Sequence, residues 1–197
     1  MTEARKELQL KQKDKIILFF GSINPRKGAE KIVTAWDKLI EKQDNVTLVM
    51  AGNVDYAKGY LENIAQRKRI SDHVKIFRGW VPNDKVHFFF TAADMVILPY
   101  NEGFTSGILK LAYAFKKPVI ASSVGELSDV ITSEKTGIIL DDFFSGKTAL
   151  CVIKTLNSAE QLDQFRKNIE KIDKEKYSWN AIAQKTALAY LKKFNCT

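Results

Sequence analysis

Six short apolar runs recur along the chain, each closed by glycine, proline or a polar turn and each followed by a segment of helical spacing. They lie at residues 15–21, 46–52, 74–77, 95–99, 119–121 and 137–140. The first reads Lys15-Ile16-Ile17-Leu18-Phe19-Phe20-Gly21, apolar without alternation, as a strand covered on both faces must be. Residues 28–42 follow with apolar positions at Ile32, Ala35, Trp36, Leu39 and Ile40, the spacing of a helix that buries one face. Helices are also expected at 56–70, 83–93, 106–115, around 126–131, and at 144–156, 159–172 and 179–194. Buried strands alternating with helices predict a doubly wound parallel α/β sheet of about six strands, with helices on both faces and helices closing the C-terminus. In such sheets ligands bind at the carboxyl ends of the strands. The loops there are 21–27, 52–56, 78–82, 100–106 and 122–126.

The loop and helix start after the fourth strand carry the strongest chemical signal. Ser106-Gly107 sits where a helix should begin. A small residue at a free helix N-terminus lets backbone N–H groups approach a phosphate, and the helix dipole favours its charge. Glu102, just before, is placed to accept hydrogen bonds from sugar hydroxyls. A phosphate cradle beside a carboxylate is the chemistry of a nucleotide-sugar site. The loop after the first strand points the same way. Gly21 allows a turn and a close ligand approach, and Lys27, one residue before Gly28, can carry an ammonium to a diphosphate over the sheet edge.

Composition narrows the alternatives. With 197 residues, 45% hydrophobic and 27% charged, the chain suits one globular α/β domain. The net charge of +8 admits nucleic acid, an anionic membrane face or a phosphate-bearing small ligand. The basic clusters are spread, diluted by acids and free of interleaved aromatics, which reads as solvated helix faces. Peripheral contact with anionic lipid is the next reading, and no nucleic-acid motif is present. No apolar run approaches the ~20 residues of a membrane span, and the charged stretch Met1 to Lys6 is not a signal peptide. Cys151, placed in an apolar helix, and Cys196 make neither a disulfide framework nor a metal site. A cytoplasmic location is the expectation. His73 and His87 read as surface residues, and Asp141-Asp142 as a strand end that caps the next helix. The run from His87 to Phe90 reads as core packing. Glu126 either touches a sugar or opens a helix.

Taken in order, these residues resemble the C-terminal, donor-binding half of retaining GT-B glycosyltransferases, a group that uses UDP- or GDP-sugars to build polysaccharides and glycolipids. The resemblance runs from about Ala4 to Phe194. It takes in Phe19-Phe20-Gly21 with Lys27-Gly28, Met50-Ala51-Gly52, Ala92-Ala93-Asp94, Pro99-Tyr100, Ser106-Gly107-Ile108, Pro118 to Ser122 with Gly125, Thr136-Gly137 and Tyr177-Ser178-Trp179. It implies a Rossmann-like sheet forming one half of a GT-B fold. It implies that Lys27, with Gly21, Ser22 and Arg26 around it, binds the donor diphosphate together with Thr105, Ser106, Gly107 and Ile108. It implies that the loop from Arg78 through Gly79, Trp80 and Val81 holds the nucleobase by backbone groups, and that Glu102 contacts the sugar. Lys27 and Glu102 are the expected catalytic residues, with no metal and no cofactor beyond the donor.

Three departures stand out. Ser22 replaces the arginine that commonly follows the first-loop glycine, with Arg26 nearby. Leu111, or Lys110 by the other count, takes the place of a ribose-binding glutamate, and the loop is one residue longer than usual. The resemblance also implies an acceptor-binding N-terminal half, carried by another part of the protein or by a separate chain. Without it, residues 1–197 would bind donor but not transfer sugar, and Trp179, Ile182, Tyr190 and Leu191 would lack their packing surface. The alternative is a non-catalytic nucleotide- or partner-binding module with a degenerate donor site. A sugar-nucleotide epimerase of the same fold has less support.

Overall fold

Lys15–Phe20 (β1) runs parallel to Val46–Gly52 (β2), in register from Lys15 opposite Val46 to Phe20 opposite Ala51. β2 pairs outward with Val74–Arg78 (β3). On its other side β1 pairs with Met95–Leu98 (β4), which is followed outward by Val119–Ser122 (β5) and Gly137–Leu140 (β6). In this computed structural model, which describes all residues except 103–105, 144, 173–174, 177 and 195–197 and only the backbone at 126 and 192–194, the sheet order is β3-β2-β1-β4-β5-β6. The chain winds outward from β1 in one direction, returns to β1, and winds outward in the other. A crevice opens where that direction reverses, between the carboxyl ends of β1 and β4.

Adjacent strand residues face opposite layers, as the pleat requires. Ile17 and Phe19 join one core with Trp36 of Ala29–Ile40 (α2), Leu61 of Tyr60–Arg67 (α3) and Val152 of Gly146–Asn157 (α7). Ile16 and Leu18 join the other core with Phe90 of Asn83–Ala92 (α4), Tyr113 of Gly107–Ala114 (α5) and Ile131 of Gly125–Glu134 (α6). Ala159–Ile172 (α8) reaches both, through Leu162 and Ile169. Each fully buried large side chain contributes about 1.5–3 kcal/mol of hydrophobic stabilisation. The expected doubly wound sheet of six strands is what forms.

Several local expectations are corrected. Residues 1–14, read without an element, begin with Thr2–Glu7 (α1), whose Arg5 is 4% exposed. The Arg5 guanidinium donates to the carbonyls of Ala92, Gln12 and Asp14 and to Asp94 Oδ2, the last at 2.9 Å. Asp94 Oδ2 also accepts from Ile16 N–H at 2.7 Å, so the Ala-Ala-Asp motif fastens the end of the sheet away from the crevice. α3 begins at Tyr60 rather than at residue 56, because Gly59 adopts φ 81° just before it. α7 is capped by Ser145, whose Oγ accepts from Thr148 N–H, and not by Asp141 or Asp142. Cys151 is exposed, and His73 is half-buried rather than on the surface. On Trp179–Phe194 (α9), Trp179 is 85% exposed, and Ile182, Tyr190 and Leu191 are also exposed. Among the described residues no helix is long and apolar enough to cross a membrane.

Candidate functional site at the β1–β4 crevice

The loop after β1 folds into a tight turn that presents two cations. Pro25–Lys27 form a 3₁₀ turn opened by Asn24, whose Oδ1 accepts from Lys27 N–H at 3.0 Å. Gly28 closes it at φ 70°. A Cβ on Gly28 would lie 1.8 Å from the Pro99 carbonyl oxygen, so only glycine lets the turn sit against the exit of β4. Asn101 ties the two loops: its backbone N–H donates to Arg26 O at 3.0 Å and its Nδ2 to Pro25 O at 2.7 Å. The Lys27 ammonium lies 3.7 Å from the centre of the Tyr100 ring. Burial, with the charge of Arg26 adding to it, lowers the Lys27 pKa from its ordinary value.

Tyr100 reaches the helix start as well. Its hydroxyl is 3.0 Å from Ser106 Oγ, and that oxygen caps α5 by accepting from Leu109 N–H at 3.3 Å. Burial raises the Tyr100 pKa, opposed by the hydrogen bond to Ser106. The N–H groups of Gly107 and Ile108, in the first turn, precede any intrahelical acceptor and carry the positive end of the helix dipole. Ile108 also marks how close α5 comes to β1, since a Cβ on Gly21 would stand 3.4 Å from its Cδ1. The neighbouring exits are equally tight. A Cβ on Gly52 would stand 1.9 Å from Gly21 O, and Gly79 N–H donates to Gly52 O at 3.0 Å.

A cavity of about 250 Å³ runs along these exits, lined by Gly21, Ser22, Asn53, Trp80, Val81 and Leu111 among others. The structure therefore brings together Gly21, Ser22, Trp80 and Val81, as the sequence suggested, and puts Leu111 on the wall as an apolar patch. Trp80 is 76% exposed. Gly79 lines a neighbouring cavity that shares Trp80 and Val81 with this one. Arg78, on the same loop, is engaged elsewhere: its Nε and Nη2 donate to the two Glu62 carboxylate oxygens at 2.8 and 2.7 Å, which lowers the Glu62 pKa and raises that of Arg78.

Lys27, Ser106 and the Gly107–Ile108 turn form a second group, joined through Tyr100. Arg26 and Glu102 form a third, because Arg26 Nε donates to Glu102 Oε1 at 2.7 Å. Arg26, expected beside Lys27 as a phosphate cation, is thus paired with the carboxylate expected to meet the sugar. Thr105 lies outside the described residues, and so does the side chain of Glu126. Among the described residues no three His, Cys, Asp or Glu side chains gather as metal ligands would. Sequence reasoning missed Tyr100 and Asn101 as the stitches between the loops. Their place in the strand-end loop was visible, but not the partner each would meet.

The chain matches the family model for glycosyl transferases group 1 over residues 1–172. It is 33% identical over 188 residues to an uncharacterised glycosyltransferase of Methanocaldococcus jannaschii, an alignment covering 94% of this chain and 47% of that protein. It is 28% identical over 189 residues to the lipopolysaccharide 1,2-N-acetylglucosaminetransferase of Salmonella typhimurium, covering 92% of this chain and 49% of the relative. Among solved structures, Anabaena HepE in complex with UDP superposes with a TM-score of 0.81 at 16% identity, over 97% of this chain and 52% of that one. The chain spans about half the length of the curated relatives it matches.

Proposed function

The chain belongs to the group 1 glycosyl transferase family, and from that premise we propose that it is the donor-binding, C-terminal half of a retaining GT-B glycosyltransferase that uses a UDP- or GDP-hexose. The observation that carries the reading is the convergence of Lys27 and the start of α5 through the buried Tyr100. The ammonium rests on the face of that ring and the helix cap on its hydroxyl, beside the topological switch where a diphosphate would need both. The base would lie in the cavity walled by Trp80, Val81 and Leu111, held by backbone groups of Gly79, Trp80 and Val81. Glu102 would accept hydrogen bonds from the hexose. HepE, a fold neighbour, is known in complex with UDP.

In the reaction the bond from the anomeric carbon to the diphosphate oxygen breaks, a bond to the acceptor hydroxyl oxygen forms on the same face, and the hydroxyl proton passes to the departing diphosphate. Lys27 and the α5 N-terminus stabilise the charge that develops on the departing diphosphate, with Arg26 beside them, and no metal is needed for it. The acceptor, a polysaccharide or glycolipid, would be bound by a second Rossmann-like half, on the N-terminal side or as a separate chain. A cytoplasmic location goes with this reading, and the net charge of +8 suits a peripheral contact at an anionic membrane face.

A calorimetric panel of UDP, GDP, ADP and their sugars, repeated with EDTA, tests this. The expected result is weak binding of UDP or GDP, unaffected by EDTA, with no sugar transfer by residues 1–197 alone. Lys27→Ala should weaken it about tenfold or more, since one charged hydrogen bond is worth roughly 1.5–3 kcal/mol. No binding of any of the three at millimolar concentration would sink the donor-site reading. The second reading, a binding module without turnover, is favoured by one observation, the apolar Leu111 on the cavity wall. Sugar transfer on adding a matching N-terminal half would exclude it.

A further inference from the structure

We infer that Tyr100 is a positioning residue for the anion site, holding the Lys27 ammonium with its ring and the Ser106 cap of α5 with its hydroxyl, so that the ammonium and the helix N-terminus are set for one ligand before it arrives. The inference rests on the donor-site reading above and adds to it a residue that touches neither sugar nor base in that reading.

Three observations carry it. The Lys27 ammonium is 3.7 Å from the ring centre, well within the range of cation–π attraction. The hydroxyl of the same ring is 3.0 Å from Ser106 Oγ, the atom that caps Leu109 N–H. The residue itself is fixed. It is 4% exposed, and its carbonyl accepts from the buried Ser122 Oγ at 2.6 Å, which ties it to β5. A lysine on a mobile stem loses rotamer freedom when it meets a ligand. Docked on a fixed ring, it has lost that freedom already, and binding is stronger for it. A bare packing role for Tyr100 would need only its bulk. The geometry uses the ring face on one loop and the hydroxyl on the other.

The test titrates UDP and GDP into the wild-type chain, Tyr100→Leu, Tyr100→Phe and Lys27→Ala across pH, with melting followed in parallel. A diphosphate favours the charged lysine, so affinity falls as pH rises through the Lys27 pKa, which lies below its ordinary 10.5. Among the described residues, the charged or titratable groups around that ammonium are Arg26 from its own turn, the Tyr100 phenol, whose pKa burial raises, and, through Arg26, Glu102 from the β4 loop.

Removing the ring should weaken binding about five- to tenfold and move the alkaline fall to lower pH. Tyr100→Phe keeps the ring but loses the hydroxyl that meets Ser106, so it should leave that fall in place and weaken binding about two- to fivefold. If Tyr100→Leu does not fold, the wild-type chain decides. The Lys27 Hε protons must show an upfield ring-current shift in its NMR spectrum, and its absence overturns the inference. Wild-type affinity and pH profile in Tyr100→Leu, beside a weakened Lys27→Ala, overturn it while leaving the donor site standing. An unweakened Lys27→Ala overturns the donor site and this inference together.

Discussion

Arg26 Nε and Glu102 Oε1 stand 2.7 Å apart and join the loop after β1 to the loop after β4, with the two side chains 73% and 63% exposed. Two groups expected to meet different parts of one ligand thus neutralise each other. An exposed pair of this kind is worth about 0–1 kcal/mol, so a diphosphate, carrying more charge than one carboxylate, can displace Glu102 from Arg26. Glu102→Gln should then raise affinity for UDP or GDP by about two- to fivefold, an effect that shrinks at high salt. Stability should stay within about 0.5 kcal/mol, as for most exposed substitutions. Calorimetry at two salt concentrations checks it. Unchanged or weaker diphosphate binding places Arg26 outside the phosphate site.

Gly107→Val separates folding from binding at the start of α5. Among the described residues a Cβ on Gly107 meets nothing within 4 Å, which leaves room there for the side chain. The β-branched residue costs under ~1 kcal/mol in a helix. Its bulk would cover the N–H groups that a phosphate must approach. Near-native melting with loss of nucleotide binding is expected. Wild-type affinity in a well-folded variant would move the phosphates elsewhere.

Gly28→Ala should do the opposite and damage the fold. The position has φ 70°, and its new Cβ would sit 1.8 Å from the Pro99 carbonyl. Backbone strain and a clash with main chain together should cost at least ~2 kcal/mol. In urea this is a fall of about 1 M in the unfolding midpoint at unchanged slope. A midpoint equal to wild type would mean that the first loop does not rest on the exit of β4.

Lys117 predicts a pH effect on stability far from the site. Its ammonium donates to Ala93 O at 2.8 Å, and burial lowers its pKa to about 8, against a smaller upward pull from Asp94. Unfolded, the lysine titrates near its ordinary 10.5. Between about 8 and 10.5 the unfolded chain therefore holds a proton that the folded chain has released. Stability gains from this group as pH rises through that window, and the cost of burying the charge is greatest below it. Lys117→Met should flatten that part of the profile relative to wild type. Denaturant midpoints at pH 7, 9 and 10 measure the difference, and parallel profiles would refute the assignment.

The strands and the loops at their carboxyl ends were legible because their signals are local. The run from Ile16 to Phe20 is apolar on both faces, and Ser106-Gly107 marks a helix start by its own chemistry. Helix limits were less legible. The helical spacing over 56–70 hid the true beginning of α3 at Tyr60, where Gly59 takes an αL turn just before the helix. The cap of α7 was missed because two carboxylates stood near the true cap, Ser145.

What the sequence determined by itself was the alternation of buried strands and amphipathic helices, and with it a parallel sheet whose binding loops fall at one edge. Side-chain period and turn chemistry act over a few residues and can be read along the chain. Only the tertiary structure decided the partners. Arg5 meets Asp94 across 89 residues, and Arg26 meets Glu102 across 76. Lys27 came to rest on Tyr100 because the reversal of winding at β1 set the exits of β1 and β4 side by side, and Gly28 let the two backbones touch. No local pattern encodes such a pairing, since it depends on which strands become neighbours once both faces of the sheet are buried.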